Sequence, residues 1–268
     1  MKHFLFHLGS LPPHLKYCIS NIVKYDNTVT LCTDQDVVID DVRVEVVNVN
    51  TFKQPSAGNF FSSESNPLWL TSLLRIHYLN EYVQSMTINE PVVHFDNDVI
   101  SFYDVKDLHS KLEQEIYITP HKETEYTFGF SIINSKEKMN ELTSRVFNIV
   151  KKGEKEARQL TGDEIHEMRL LGYVDNGLIK KLPVFPGDED TFGYLFDPSS
   201  YGQFIDGTPN GHSPGFIDKQ QYIGSKLDSS CNILYKDKPY LYKEGVEYKI
   251  FNLHIHTKNL SKFTSDEN

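Results

Sequence analysis

The first fifty residues alternate between two kinds of pattern, and this alternation narrows the fold more than any other feature of the chain. HFLFHLG is a compact apolar run closed by Gly9, and PPHLKYCISNIVKY then repeats Leu15, Cys18, Ile19, Ile22 and Val23 at helical spacing. TVTLCTD and VRVEVVNV carry the β-branched and apolar residues of two further strands. Strand, helix, strand, strand predicts an α/β domain with a largely parallel sheet. Such sheets bind ligands beyond the carboxyl ends of their strands, which places Gly9 and Asp34 near a prospective site.

Farther along, LWLTSLLRIHYLNEY after Pro67 predicts a helix with Arg75 in its middle. PVVHFDNDVISF predicts a strand that breaks at an acidic triplet and resumes. FGFSIIN predicts another strand, while EKMNELTSRVFNIVKK and EIHEMRLLGYV predict helices. The stretch from Phe196 to Asp218 is crowded with Gly, Pro, Asn and Ser and predicts a long loop. A loop of that length in a compact domain marks function or mobility, so a lid over bound ligand is expected. KIFNLHIHTKNL predicts a last strand and TSDEN a frayed tail. With 268 residues, one domain over positions 1–263 and a tail at 264–268 is the expected organisation.

The formal net charge of −10, without a stripe of Lys and Arg, argues against a nucleic-acid partner. Cys18, Cys32 and Cys231 form no CxxC pair and no even-numbered framework, which predicts a reducing, cytoplasmic setting. No apolar run reaches the length of about 18 residues that crossing a bilayer demands, and MKHFLFHLGSLPPH is too short and polar for a signal peptide. Peripheral contact with a membrane stays open.

Asp96-Asn97-Asp98 follows the apolar run Val92, Val93, His94 and Phe95. Two carboxylates leaving the end of a buried strand are costly without a cation, and hard oxygen ligands suit Mg²⁺ or Mn²⁺ held together with substrate phosphates. A solvated turn is the plain alternative for an Asp-x-Asp taken alone. In HIHTKN, strand alternation puts His254 and His256 on one face and Ile255 on the other. Either imidazole could complete a metal's coordination and Lys258 could neutralise a phosphate; ordinary half-buried histidines are the alternative.

With these segments together, the chain resembles the nucleotide-diphospho-sugar glycosyltransferases of the GT-A fold. The resemblance is carried in order by HLGSLPPHLKYCISNI with LCTD, WLTSLLRIHYL, HFDNDV, FDPSSYGQFIDGT and LHIHTKNL. It also extends to small bacterial and large-DNA-virus glycosyltransferases. It implies a mostly parallel central sheet flanked by helices, with a nucleotide-binding half over 1–105 that ends in the DxD motif. The acceptor half and the C-terminal metal and diphosphate strand would occupy 106–263. Asp96, Asp98 and one of His254 and His256, with His256 preferred, would hold Mn²⁺ or Mg²⁺, and Lys258 would steady the diphosphate. His7, Leu8, Gly9, Thr33 and Asp34 would line the nucleotide pocket, joined by Asn97 and by Arg75 near the donor. For Gly9, Asp34 and Arg75 a turn, a helix cap and a surface salt bridge remain the alternatives.

The implied reaction moves a sugar from a nucleotide-sugar, with a UDP-sugar expected, to a glycan or other hydroxyl acceptor. An inverting enzyme needs a carboxylate base, for which Asp206, Asp218 and Glu167 are candidates alongside Asp163 and Glu164. Trp69, Tyr201, Gln203 and Thr208 are candidate sugar contacts, set against core packing or loop structure. A metal-dependent phosphoesterase and a non-catalytic glycan-binding module are the rival functions.

Overall fold

The computed structural model describes residues 1–55, 67–87, 90–162, 166–188, 191–210, 214–215 and 231–264. Asp163, Glu164 and Asp218 lie outside them, as does the expected tail from position 265. The N-terminal unit is as the sequence implies: β1 (Lys2–His7), α1 (Leu15–Val23), β2 (Thr28–Thr33) and β3 (Val44–Asn48). α2 (Pro67–Ser85) opens on its proline, where the missing N–H costs no helical bond. β4 (Val92–Phe95) stops at the acidic triplet and β5 (Val99–Ser101) resumes after it. β6 (Ile116–Lys122) and β7 (Glu125–Ile133) precede α3 (Lys136–Val150), α4 (Glu154–Thr161), α5 (Glu167–Val174) and β8 (Ile179–Lys181). α6 (Tyr201–Asp206), β9 (Cys231–Tyr235), β10 (Pro239–Lys243), β11 (Val246–Lys249) and β12 (Asn252–His254) complete the chain.

Seven strands form the central sheet in the order β3-β2-β1-β4-β7-β6-β8. All neighbours pair in parallel except those on either side of β7, so β7 alone runs against the rest. The α/β class and the mostly parallel sheet are therefore observed. Alternating side chains of β1 divide the core: Leu5 joins Leu15, Ile19 and Phe95 on one face, while Phe4 and Phe6 pack with Tyr82 and Tyr78 of α2 on the other. That division is the period-2 alternation of a strand covered by helices on both sides.

β5 does not continue the central sheet. It pairs antiparallel with β12, setting Val99 opposite His254 and Ser101 opposite Asn252. The buried Asn21 of α1 exchanges two 2.9 Å bonds with the backbone of Ser101, which fastens this small sheet to the first helix. A short edge strand is thus satisfied on both sides, and the C-terminal segment returns beside the acidic turn.

One expectation needs correction. The Phe196–Asp218 loop contains α6, and Tyr201 at its start is wholly buried with its hydroxyl donating to the Val184 carbonyl. Asp197 caps this helix by accepting from the N–H groups of Ser200, Tyr201 and Gly202 at 2.7–2.9 Å. Residues 196–206 are therefore packed structure rather than a lid. In EIHEM, α5 begins at Glu167, with the His166 ring accepting from the Arg169 N–H as a cap.

Candidate metal and donor site

The carboxyl ends of β1 and β4 lie on one edge of the sheet, since Leu5 is in register with Phe95. Asp96 leaves that edge with its N–H still bonded to the Gly129 carbonyl of β7 at 2.8 Å. Asp98 follows, and its carbonyl accepts from the Ile255 N–H at 2.8 Å, extending the β5–β12 pairing by one residue. Backbone bonds on both sides thus fix the acidic turn, and ligand atoms of Asp96, Asp98 and His254 lie within 4.8 Å of one another.

The electrostatics of this group are unusual. Asp98 is 3% exposed, with His254 Nε2 3.1 Å from its Oδ2 and the Lys258 ammonium on the same oxygen. Burial alone would raise the Asp98 pKa, but the charges of His254 and Lys258 together with their hydrogen bonds hold it well below the usual carboxylate range. Arg75, 8% exposed, bridges two carboxylates: Asp96, and Glu167 Oε1 at 2.6 Å. The surface salt bridge considered for Arg75 is therefore a buried one.

Room for these groups is made by two glycines. A Cβ at Gly129 would stand 2.7 Å from Asp96 Oδ2 and 3.2 Å from the His254 ring. At Gly202 it would stand 2.0 Å from the His254 carbonyl oxygen, so only glycine lets α6 press against β12. Asp197 reaches the same strand by accepting from the His254 N–H at 2.8 Å, although burial pushes its pKa up.

The histidine preferred from sequence is not the one that meets the carboxylates. β12 ends at His254 and the chain turns, so His256 is carried to Ser199 and Gln203, each 3.1 Å from its Nε2. The two imidazoles stay stacked at 4.5 Å and 3°. Burial, then the neighbouring His254 charge, takes the His256 pKa down to about 3. Ser199 Oγ also lies 3.4 Å from His254 Nδ1, which leaves Nε2 as the nitrogen facing Asp98.

A cleft of about 560 Å³ runs along this edge. Asp96, Asn97, Asp98, Arg75, Glu167, His254, His256, Lys258, His7 and Leu8 all line it. Asn97 links the N-terminal unit to the turn: its amide donates to His7 Nδ1 at 3.0 Å, and its Oδ1 lies 3.3 Å from His14 Nε2. Gly9, Thr33 and Asp34 stand beside the cleft rather than in its wall. Gly9, at φ 81°, donates its N–H to Asp34 Oδ1 at 2.8 Å, and the Gln35 amide donates to the same oxygen at 2.9 Å. The Gln35 bond, seconded by Gly9, holds the exposed Asp34 below its ordinary pKa. Thr33 is buried, its hydroxyl oxygen accepting from the Gln35 N–H.

Asp206 also lies outside the cleft wall, and both its oxygens are taken, by the Thr257 hydroxyl and the Lys262 ammonium. Among the described base candidates, Glu167 alone faces the cleft. Sequence reasoning missed His94, whose Nδ1 donates to the Phe4 carbonyl at 3.0 Å and whose Nε2 lies 3.5 Å from Asp96 Oδ1. Its position two residues before Asp96, on the same strand face, was the available signal. Burial, then the Arg75 charge, keeps its pKa well below the ordinary value.

A scan against protein-family models finds no match, and no curated protein matches the chain. Among solved structures the chain is similar to the glycosyltransferase GlyE of Streptococcus pneumoniae TIGR4, at 12% identity and a TM-score of 0.46. That match covers 68% of this chain and 44% of GlyE, so the chain spans less than half the length of that protein. It is similar to an active-site mutant of LgtC at 12% identity and a TM-score of 0.46, covering 81% and 80% of the two chains. It is similar to mouse xyloside xylosyltransferase 1 at 9% identity and a TM-score of 0.43, covering 68% and 86%.

Proposed function

We propose that this chain is a metal-dependent glycosyltransferase that moves a sugar from a nucleotide-sugar, a UDP-sugar in the simplest case, to a hydroxyl of a glycan acceptor. One observation carries the reading. Asp98 and Lys258 are 160 positions apart, yet they meet with Asp96 and His254 at the carboxyl edge of the sheet. Two carboxylates and an imidazole whose ligand atoms lie within 4.8 Å fit a divalent cation such as Mn²⁺ or Mg²⁺. Gly129 leaves the space between them clear of a side chain.

Asp96, Asp98 and His254 would hold the cation, which supplies a Lewis acid for the leaving diphosphate. Lys258, now on Asp98, supports the reading as the cationic side chain available to a phosphate oxygen. His7, Leu8 and Asn97 line the cleft and belong to its donor side, and the turn joined by the Gly9–Asp34 bond, with Thr33 buried beneath it, would receive base and ribose. Residues 1–105 then carry the nucleotide-binding elements, with the start of α2 reaching past them to the other end of the cleft, and 106–263 supply Glu167 and return the C-terminal ligands. In the transfer, the acceptor oxygen bonds to the anomeric carbon and the bond from that carbon to the diphosphate breaks, its electron pair leaving with the nucleoside diphosphate. The hydroxyl proton goes to a carboxylate, for which we assign Glu167, held in place by Arg75.

Among the described residues a single His, Cys, Asp and Glu cluster of metal-ligand geometry is present, which favours this reading over a two-metal phosphoesterase. Calorimetric titration with UDP, with and without Mn²⁺, tests it. The expected result is binding that requires Mn²⁺ in the wild type and is lost in Asp98→Ala with the fold retained. Equal UDP affinity with and without the metal, or in that variant, contradicts the assignment.

A further inference from the structure

The cleft has a second end. Trp69, the only tryptophan of the chain, sits in the first turn of α2, six positions before Arg75 and so about 9 Å away along the helix. The indole is half-buried and lines the cleft, with the His166 imidazole against it at 5.0 Å and a 34° tilt. Leu68 beside it is 62% exposed. Ser72, three positions on along the same helix, donates its hydroxyl to the Leu68 carbonyl at 2.9 Å, which leaves its lone pairs to accept.

We propose that Trp69 is the stacking platform for a sugar ring of the acceptor, an inference that rests on the glycosyltransferase reading. A pyranose presents an apolar C–H face bordered by hydroxyls. An aromatic plane bordered by hydroxyl groups matches it in polarity, as a few polar groups in an apolar wall do in ligand pockets generally. A phosphate is less well served at this end, because the guanidinium of Arg75, the cation of this helix that lines the cleft, is already engaged with Asp96 and Glu167.

Placement agrees with the chemistry. His7 points to the α1 face of the sheet with Asn97 and His14, whereas Trp69 belongs to the α2 and α5 side together with Glu167. Asn97 of the acidic turn bonds to His7, while its neighbour Asp96 bonds to Arg75 of α2, so the turn touches both ends of the cleft. The reacting carbon must lie between the nucleoside and the acceptor, so a nucleoside on the His7 side leaves the Trp69 side for the acceptor. It also leaves Glu167 on the acceptor's side, where a proton must be received.

A single tryptophan makes the test direct, because emission excited to the red of tyrosine absorption then reports Trp69 alone among one Trp and 15 Tyr. The full chain is titrated with maltose, lactose and cellobiose, each with and without UDP and Mg²⁺, and separately with UMP. A saturable shift in emission with at least one disaccharide, absent with UMP, is expected. By calorimetry, Trp69→Ala should weaken that disaccharide about tenfold and Trp69→Phe should restore most of the affinity. No shift with any of the three disaccharides overturns the inference, even if UDP binds with its metal. A saturating shift with UMP also overturns it and makes the nucleobase the occupant. If a disaccharide shifts the emission while UDP with metal does not bind, the platform stands and the transferase reading falls.

Discussion

Gly129 is the residue at which the account is most exposed to a single substitution. The space its missing side chain leaves is the space between Asp96 and His254, and a methyl there meets ligand atoms rather than backbone. Gly129→Ala should therefore leave the fold intact at a cost of about 1–3 kcal/mol by urea unfolding, yet reduce cation-dependent UDP affinity by at least about tenfold. Unchanged affinity would mean that the carboxylates and His254 do not act together. A second prediction at this scale concerns His3, which is 1% exposed and packs edge-on to Phe95. Burial, then the N-terminal charge, takes its pKa from 6.5 to about 3, so it is neutral in the fold. Its folded pKa lies below its unfolded one, so its contribution is complete above pH 6.5 and drains away as the pH falls toward about 3. Between pH 6 and 4, unfolding free energy measured in urea should fall less steeply in His3→Leu than in the wild type, by about 1.4 kcal/mol per pH unit. Parallel slopes would show that His3 is already protonated in the fold.

At the scale of elements, α6 decides where His254 sits. Six residues make a helix too short to hold itself, and this one stands because Asp197 caps it, Tyr201 is buried and Gly202 admits the β12 backbone. Gly202→Ala sets a methyl against a backbone carbonyl, which cannot swing aside as a side chain can. It should lower the Tm by several degrees and weaken metal binding in step, whereas retained stability with intact binding would contradict the close contact. The same helix shows where sequence reading stops. FDPSSYGQFIDGT reads as loop because Pro, Ser and Gly are judged by local preference, while the contacts that order it come from Val184 and His254. The N-terminal unit, α2 and the DND turn were legible because each carries its own period and a stop signal. β6 was missed because Pro120 interrupts it, and its register with β7 shifts there. The β9–β11 meander was passed over although its KDKP and KEGV turns mark hairpins between alternating strands.

Across the whole molecule, the candidate site depends on a long closure. A sheet edge built by the first hundred residues meets a strand from the end of the chain, and the β5–β12 pairing seals the two. From sequence, both clusters could be singled out as candidates, and their meeting could be inferred only through resemblance, since no local pattern encodes a contact 160 positions long. Which of His254 and His256 stands beside the carboxylates was beyond reach for a similar reason, because it turns on the residue at which β12 ends. The buried residues Phe251, Leu253, Ile255 and Leu260 anchor this closure in the larger core, so the site is formed by folding rather than by ligand. The most direct measurement is anomalous scattering at the manganese edge from crystals grown with Mn²⁺ and UDP. The account predicts one peak within roughly 2.0–2.3 Å of Asp96, Asp98 and the Nε2 of His254. A peak bound by His256 without His254, or no peak at this edge of the sheet, would contradict it.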